Sequence, residues 1–184
     1  MIRVSVCAAV LIVGVAVNQF LVLGESDLPA LKNPKLIVTK SERKLEVFDG
    51  EELIKTYRIA LGSSPVGDKE VEGDGKTPEG GFYIFTKNPQ SSFYLSLGLS
   101  YPNIEDAKRG LEGKLITQEE HDQIVAAIDQ KTMPPQNTAL GGEIYIHGNG
   151  DLADWTAGCI ALSNSSMKEL FDALPVGTTV QINP

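Results

Sequence analysis

The sequence predicts a mainly β domain with peripheral helices, an α+β chain. Three observations carry that expectation. Short apolar segments, several alternating apolar and polar residues, are separated by turn chemistry. The 18 glycines and 10 prolines suit a turn-rich β protein better than a helical bundle. Only two stretches carry an apolar stripe at helical spacing. A length of 184 residues points to one domain. The formal net charge is −8 and no Lys/Arg cluster occurs, which excludes nucleic-acid binding and strong attraction to anionic lipid.

The first element is a targeting segment over residues 1–27. Val4 to Leu23 is almost continuously apolar, with Arg3 before it and Glu25 and Asp27 after. Basic before and acidic after predicts a cytoplasmic N-terminus and an exported body. A cleaved signal peptide and a retained membrane anchor both fit, and Val22-Leu23-Gly24 offers a small-residue cleavage site. Contact with a membrane is expected only through this segment. Cys7 comes too early to be a lipoprotein acceptor. Residues 28–34 read as a linker, and 35–184 as the folded domain.

Strands are expected at 35–40 and 44–48, then, after the Asp49-Gly50 turn, at 53–61. Residues 62–80 are rich in Gly, Pro, Ser and charge and predict a long surface loop. Within it Asp68, Glu70, Glu72 and Asp74 lack calcium-loop spacing and read as a solvated charge run. Further strands follow at 82–85, 93–99, 144–146 and 179–182. One helix begins at a Thr117/Glu120 capping box and carries Ile124, Val125 and Ile128. A second is expected from a Ser166/Glu169 box, with Met167, Leu170, Phe171 and Leu174 as its stripe and Pro175 and Gly177 as its stop.

Cys159 is the only cysteine of the body, so it has no disulfide partner there. An unpaired thiol in an oxidising compartment is a liability unless it has a chemical role. His147 ends an apolar strand, is followed by Gly148, and precedes Cys159 by twelve positions. An imidazole can take the thiol proton or stabilise a thiolate. Backbone N–H groups of Ala157, Gly158 and Cys159 could meet a developing oxyanion. Gly148 could orient His147 only through its carbonyl. Spacing alone leaves two readings open: Cys–His catalysis, or an inert buried cysteine beside a packed histidine. His121 reads as a solvated helix residue. Cys159 and His147 with Asp151 or Asp154 make a poor zinc set, so neither metal nor cofactor is expected.

His147-Gly148 followed by Thr156-Ala157-Gly158-Cys159-Ile160-Ala161-Leu162 resembles the L,D-transpeptidase catalytic domain family, the YkuD fold. Supporting blocks are Gly73-Asp74-Gly75-Lys76-Thr77-Pro78-Glu79-Gly80, Asn88-Pro89, Ser96-Leu97-Gly98-Leu99-Ser100-Tyr101-Pro102-Asn103 and Gly177-Thr178-Thr179-Val180. Together they resemble the murein transpeptidase-related subgroup of diderm bacteria and run from about Pro34 to Pro184. The family pattern Ser/Thr-His-Gly-Cys is met by Thr156, Gly158 and Cys159, with Ala157 in place of the histidine. Ala161 stands where an arginine is common, and Asn164 matches a downstream asparagine.

The resemblance implies a YkuD-like β-sandwich and a periplasmic body, free or anchored to the inner membrane. It implies catalysis by Cys159 and His147 with Gly148, and backbone oxyanion donors at Ala157 and Gly158. Thr156 and Asn164 carry over as substrate-binding positions. Tyr83, Tyr101 and Trp155 are candidate cleft residues, with core packing as their alternative. The implied reaction is attack of Cys159 on the diaminopimelate carbonyl of a peptidoglycan tetrapeptide stem, loss of D-Ala, and transfer of the acyl group to an amine. That amine belongs to another stem or to a wall-attached lipoprotein. Resolution by water would make the protein a hydrolase trimming stems or releasing the lipoprotein. A non-catalytic wall-binding module is the alternative from another class. The loop 62–80 and the segment 105–142 are candidate lids over the thiol.

Overall fold

The computed structural model describes residues 28–184. The leader expected over 1–27, with Cys7, lies outside them. The chain order is β1 (Pro34–Thr39), β2 (Lys44–Asp49), β3 (Glu52–Arg58), β4 (Gly80–Ser91), β5 (Tyr94–Leu99), α1 (Ile104–Glu112), α2 (Gln118–Asp129), β6 (Tyr145–His147), β7 (Ile160–Ala161), α3 (Asn164–Ala173) and β8 (Thr179–Asn183).

The strands form one eight-stranded sheet in the order β3-β2-β1-β8-β4-β5-β6-β7. β1 with β8 and β6 with β7 pair parallel; the other neighbours are antiparallel. β4 joins both halves, pairing β8 through its first residues and β5 through the rest. Its register slips between Ile84 and Thr86 and again between Asn88 and Ser91, and such irregularities bend a strand. The sheet therefore curls. Past β3 the chain reaches the far edge, where Ala60 bridges Ala161 of β7 and Gly62 bridges Thr156. This meeting gives the β7 edge a backbone partner.

Alternation decides which face is inside. Leu36 and Val38, Leu45 and Val47, Phe82 and Ile84, and Val180 and Ile182 are buried in one core with Leu97, Leu99, Ile146 and Ile160 from the other half. The fold is thus mainly β, with the two halves of one curled sheet sharing a sandwich core. α3 covers β5 with Met167 and Leu170, which is why β5 is buried on both faces over Ser96–Leu99. α1 and α2 form a smaller core from Ala107, Ile116, Ile124 and Leu140.

Several boundaries differ from the sequence expectation. α2 starts at Thr117, whose capping box with Glu120 is formed. α3 starts earlier than the Ser166/Glu169 pattern suggests: Ser163 is its N-cap and its hydroxyl accepts from Ser166 N–H. Glu169 is buried instead, accepting from Tyr57 Oη at 2.8 Å and Lys55 Nζ at 2.6 Å. α1 was not anticipated; it rests on an Asn103/Asp106 capping box. The two-residue β7 is too short to leave a periodic signal.

The expected surface loop is present over 62–79, but it is tied down. Lys40 Nζ, almost fully buried, donates to Gly67 O (2.6 Å), Thr77 O (2.8 Å) and Glu79 Oε1 (2.8 Å). The charge run divides: Glu70 and Glu72 are exposed as expected, while the two aspartates are tied down. Asp74 accepts from Lys69 Nζ and from the N–H groups of Glu70, Val71 and Lys76. Asp68 accepts from Glu79 N–H and pairs with Arg109.

Candidate active site

Cys159 sits at the end of a tight turn that leads into β7. Thr156 Oγ1 donates to Cys159 O at 2.7 Å and accepts from Gly158 N–H at 3.1 Å, closing that turn. Gly158 has φ +140°, and a Cβ there would lie 2.8 Å from Lys76 O, so only glycine fits. The thiol projects between two backbone groups on the run into β6. Sγ accepts from Tyr145 N–H at 3.4 Å, and S–H donates to Glu143 O at 3.4 Å.

His147 ends β6 and lies across a parallel pairing from Ala161, two residues past Cys159. Its Nδ1 is 2.7 Å from Gly148 O. A carbonyl only accepts, so Nδ1 carries the proton and Nε2 is the free basic nitrogen. Gly148 is required for that turn: a Cβ would fall 2.5 Å from Asn164 Oδ1 and 3.0 Å from Phe93 O. The imidazole stacks on Phe93, centroids 4.7 Å apart, and meets Trp155 edge-on at 5.6 Å.

His147 and Cys159 line one cleft of about 300 Å³ with Phe93, Ser96, Glu143 and Tyr145. A second cleft of about 300 Å³ reaches Cys159 from the other side, past Lys69, Gln136, Gly142 and Ala157. Cys159 and Glu143 line both. Burial sets the protonation. It pushes the Cys159 thiol up, with the Glu143 charge adding to the rise and Tyr145 N–H and Lys69 opposing it. Burial likewise lowers His147, against the Gly148 carbonyl. Both shifts run against an ion pair formed in advance between the two residues.

The remaining candidates separate. Trp155 is on the cleft rim, against Phe93 and His147. Asn164 caps the turn after His147, accepting from Asn149 N–H at 2.8 Å. Thr156 is buried and spends its hydroxyl on the nucleophile turn. Tyr101, one of the expected cleft residues, is fully buried instead and donates to Leu140 O at 2.9 Å. Tyr83, another, ties β4 to the end of α2 through Thr132 O at 2.6 Å. Both aromatics face packing partners that are distant in sequence. His121 stays on α2 beside Asp122. Sequence reasoning missed Phe93, Tyr145 and Glu143. Phe93 was legible only as a strand residue, and the hydrogen bonds of the other two to the sulfur come from backbone atoms, which leave no mark on side-chain identity.

The profile of the YkuD family, the L,D-transpeptidase catalytic domain, matches residues 33–182. YafK of Escherichia coli (strain K12), whose own L,D-transpeptidase assignment is provisional, is 34% identical over 86 residues, 43% of this chain and 35% of that protein. The match thus spans about a third of the curated relative. A point variant of the helical cell shape determining protein Pgp2 from Campylobacter jejuni superposes with TM-score 0.56 at 25% identity, over 85% of this chain and 49% of that one. Bd1075 of Bdellovibrio bacteriovorus shares the fold at TM-score 0.53 and 23% identity, over 85% of this chain and 51% of that one. With the match running from before β1 to within β8, the chain belongs to the L,D-transpeptidase catalytic domain (YkuD) family.

Proposed function

We propose that this protein is a cysteine acyl transferase acting on peptidoglycan tetrapeptide stems outside the cytoplasmic membrane, delivered there by residues 1–27. The observation that supports it is the sulfur of Cys159 standing where two clefts meet, in a cleft it shares with an imidazole whose tautomer is fixed. In this reading Cys159 Sγ attacks the diaminopimelate carbonyl as its proton moves to His147 Nε2. The N–H groups of Ala157 and Cys159 serve the oxyanion, because Gly158 N–H is taken by Thr156. The C–N bond breaks, and D-Ala leaves with the proton from His147. An amine of a second stem, or of a wall-attached lipoprotein, then enters by the other cleft and displaces the sulfur. Trp155 and Phe93 form the rim against which the stem lies, while Thr156, Asn164 and Gly148 hold the machinery in place.

The test is intact-mass spectrometry after incubation with a carbapenem, followed by purified muropeptides. The expected results are one covalent adduct on the wild type and none on Cys159→Ala. Muropeptide dimers joined between two diaminopimelates should form only with the wild type. Shortened stems without dimers would make the protein a hydrolase with the same thiol. Neither adduct nor product would leave a wall-binding module.

A further inference from the structure

Glu143 precedes β6 and holds a position no other ionisable side chain shares except the nucleophile itself. It lines both clefts, and those clefts have only Glu143 and Cys159 in common. Its backbone is fixed in an unusual state for a non-glycine residue, with φ +53°. Glu143 N–H donates to Gln136 Oε1 at 2.7 Å, and its carbonyl accepts from the Cys159 thiol at 3.4 Å. Those two bonds hold the Glu143 backbone beside the sulfur, and its side chain is exposed at the opening the clefts share. The charge is felt there: it adds to the rise of both the Cys159 thiol and the Tyr145 phenol. The cation nearest in the second cleft, Lys69, is already engaged by Val71 O and Asp74, both at 2.9 Å. Glu72 lines the second cleft alone.

We propose that Glu143 is the specificity-determining residue of the acyl-transfer step, selecting a cationic amine over uncharged nucleophiles. The inference rests on the acyl-transferase reading above. An acceptor amine arrives as an ammonium and is attracted to a carboxylate at the mouth of the clefts. One proton passes from the ammonium through Glu143 to solvent, freeing the lone pair. The nitrogen then attacks the thioester carbon, so that C–N forms and C–S breaks. The second proton goes to His147 Nε2 and from it to the departing sulfur. Glu143 thus raises the local concentration of amine at the acyl group relative to water.

The experiment partitions the acyl-enzyme, formed from a purified tetrapeptide muropeptide, between ethanolamine, a cation at neutral pH, and hydroxylamine, neutral there. The preference for ethanolamine over hydroxylamine should fall about tenfold in Glu143→Gln, as a rise in the KM for ethanolamine. Glu143→Asp should restore most of it. An unchanged preference, or an equal loss toward both nucleophiles, overturns the proposal, since a merely structural residue would affect both alike. Failure of the wild type to form any acyl-enzyme would instead overturn the acyl-transferase reading, and this inference with it.

Discussion

At Cys159 and His147 the same physical effect acts in opposite directions on two groups. Burial disfavours charge on both, raising the thiol and lowering the imidazole. In the acyl-transferase reading proposed above, proton transfer then accompanies attack. His147→Ala should slow alkylation of Cys159 near neutral pH, and a stopped-flow rate equal to the wild type would remove His147 as the base. The depressed His147 also has a stability consequence. The unfolded chain binds a proton as pH falls through 6.5, while the folded one resists it, so the contribution is absent above that pH and destabilising below it. Urea unfolding at about pH 7.5 and about pH 5 should show the wild type losing more stability than His147→Gln over that interval. Phe93 contributes to this environment by covering one imidazole face.

Between strands, the loop 62–79 shows how one buried charge can order a long connection. Lys40 leaves β1 and satisfies two backbone carbonyls and one carboxylate of that loop. The same loop presents Thr77 Oγ1 to Gly62 N–H and packs Lys76 O behind Gly158. Lys40→Met should cost about 2–4 kcal/mol, because three acceptors lose a donor in a buried place. Chemical denaturation measures this; a loss below about 1 kcal/mol would mean water replaces the ammonium without penalty. With both ends so tied, the loop supports the nucleophile turn from behind. The segment over 134–143, clamped by Gln136 to Tyr101 O and Glu143 N–H, forms the wall of the second cleft.

For the molecule as a whole, the curl of the sheet is what assembles the site. Ala60 and Ala161 exchange backbone hydrogen bonds of 2.8 and 2.9 Å across the meeting edges. Cys159 stands two residues before that bridge. Ala60→Pro removes one donor and should destabilise the fold by about 1–3 kcal/mol, and it should slow Cys159 acylation beyond what stability alone predicts. Acylation kinetics measured where the variant is fully folded provide the check. A wild-type rate there would mean the edge bridge does not position the nucleophile.

The amino-acid sequence by itself determined the alternating strands, the Thr117 cap, and the identity of the one thiol of residues 28–184 and of the strand-end imidazole, because each depends on neighbours a few positions apart. Gly148 and Gly158 stood out as neighbours of that pair, but the steric need for glycine there came from the fold. Only the tertiary structure decided that Trp155 stays at the cleft while Tyr83 and Tyr101 pack away from it, that Asp74 is a turn clamp, and that Phe93 and Glu143 stand beside His147 and Cys159. Those outcomes depend on which distant segments the curled sheet brings into contact, and burial is a property of those contacts rather than of residue type.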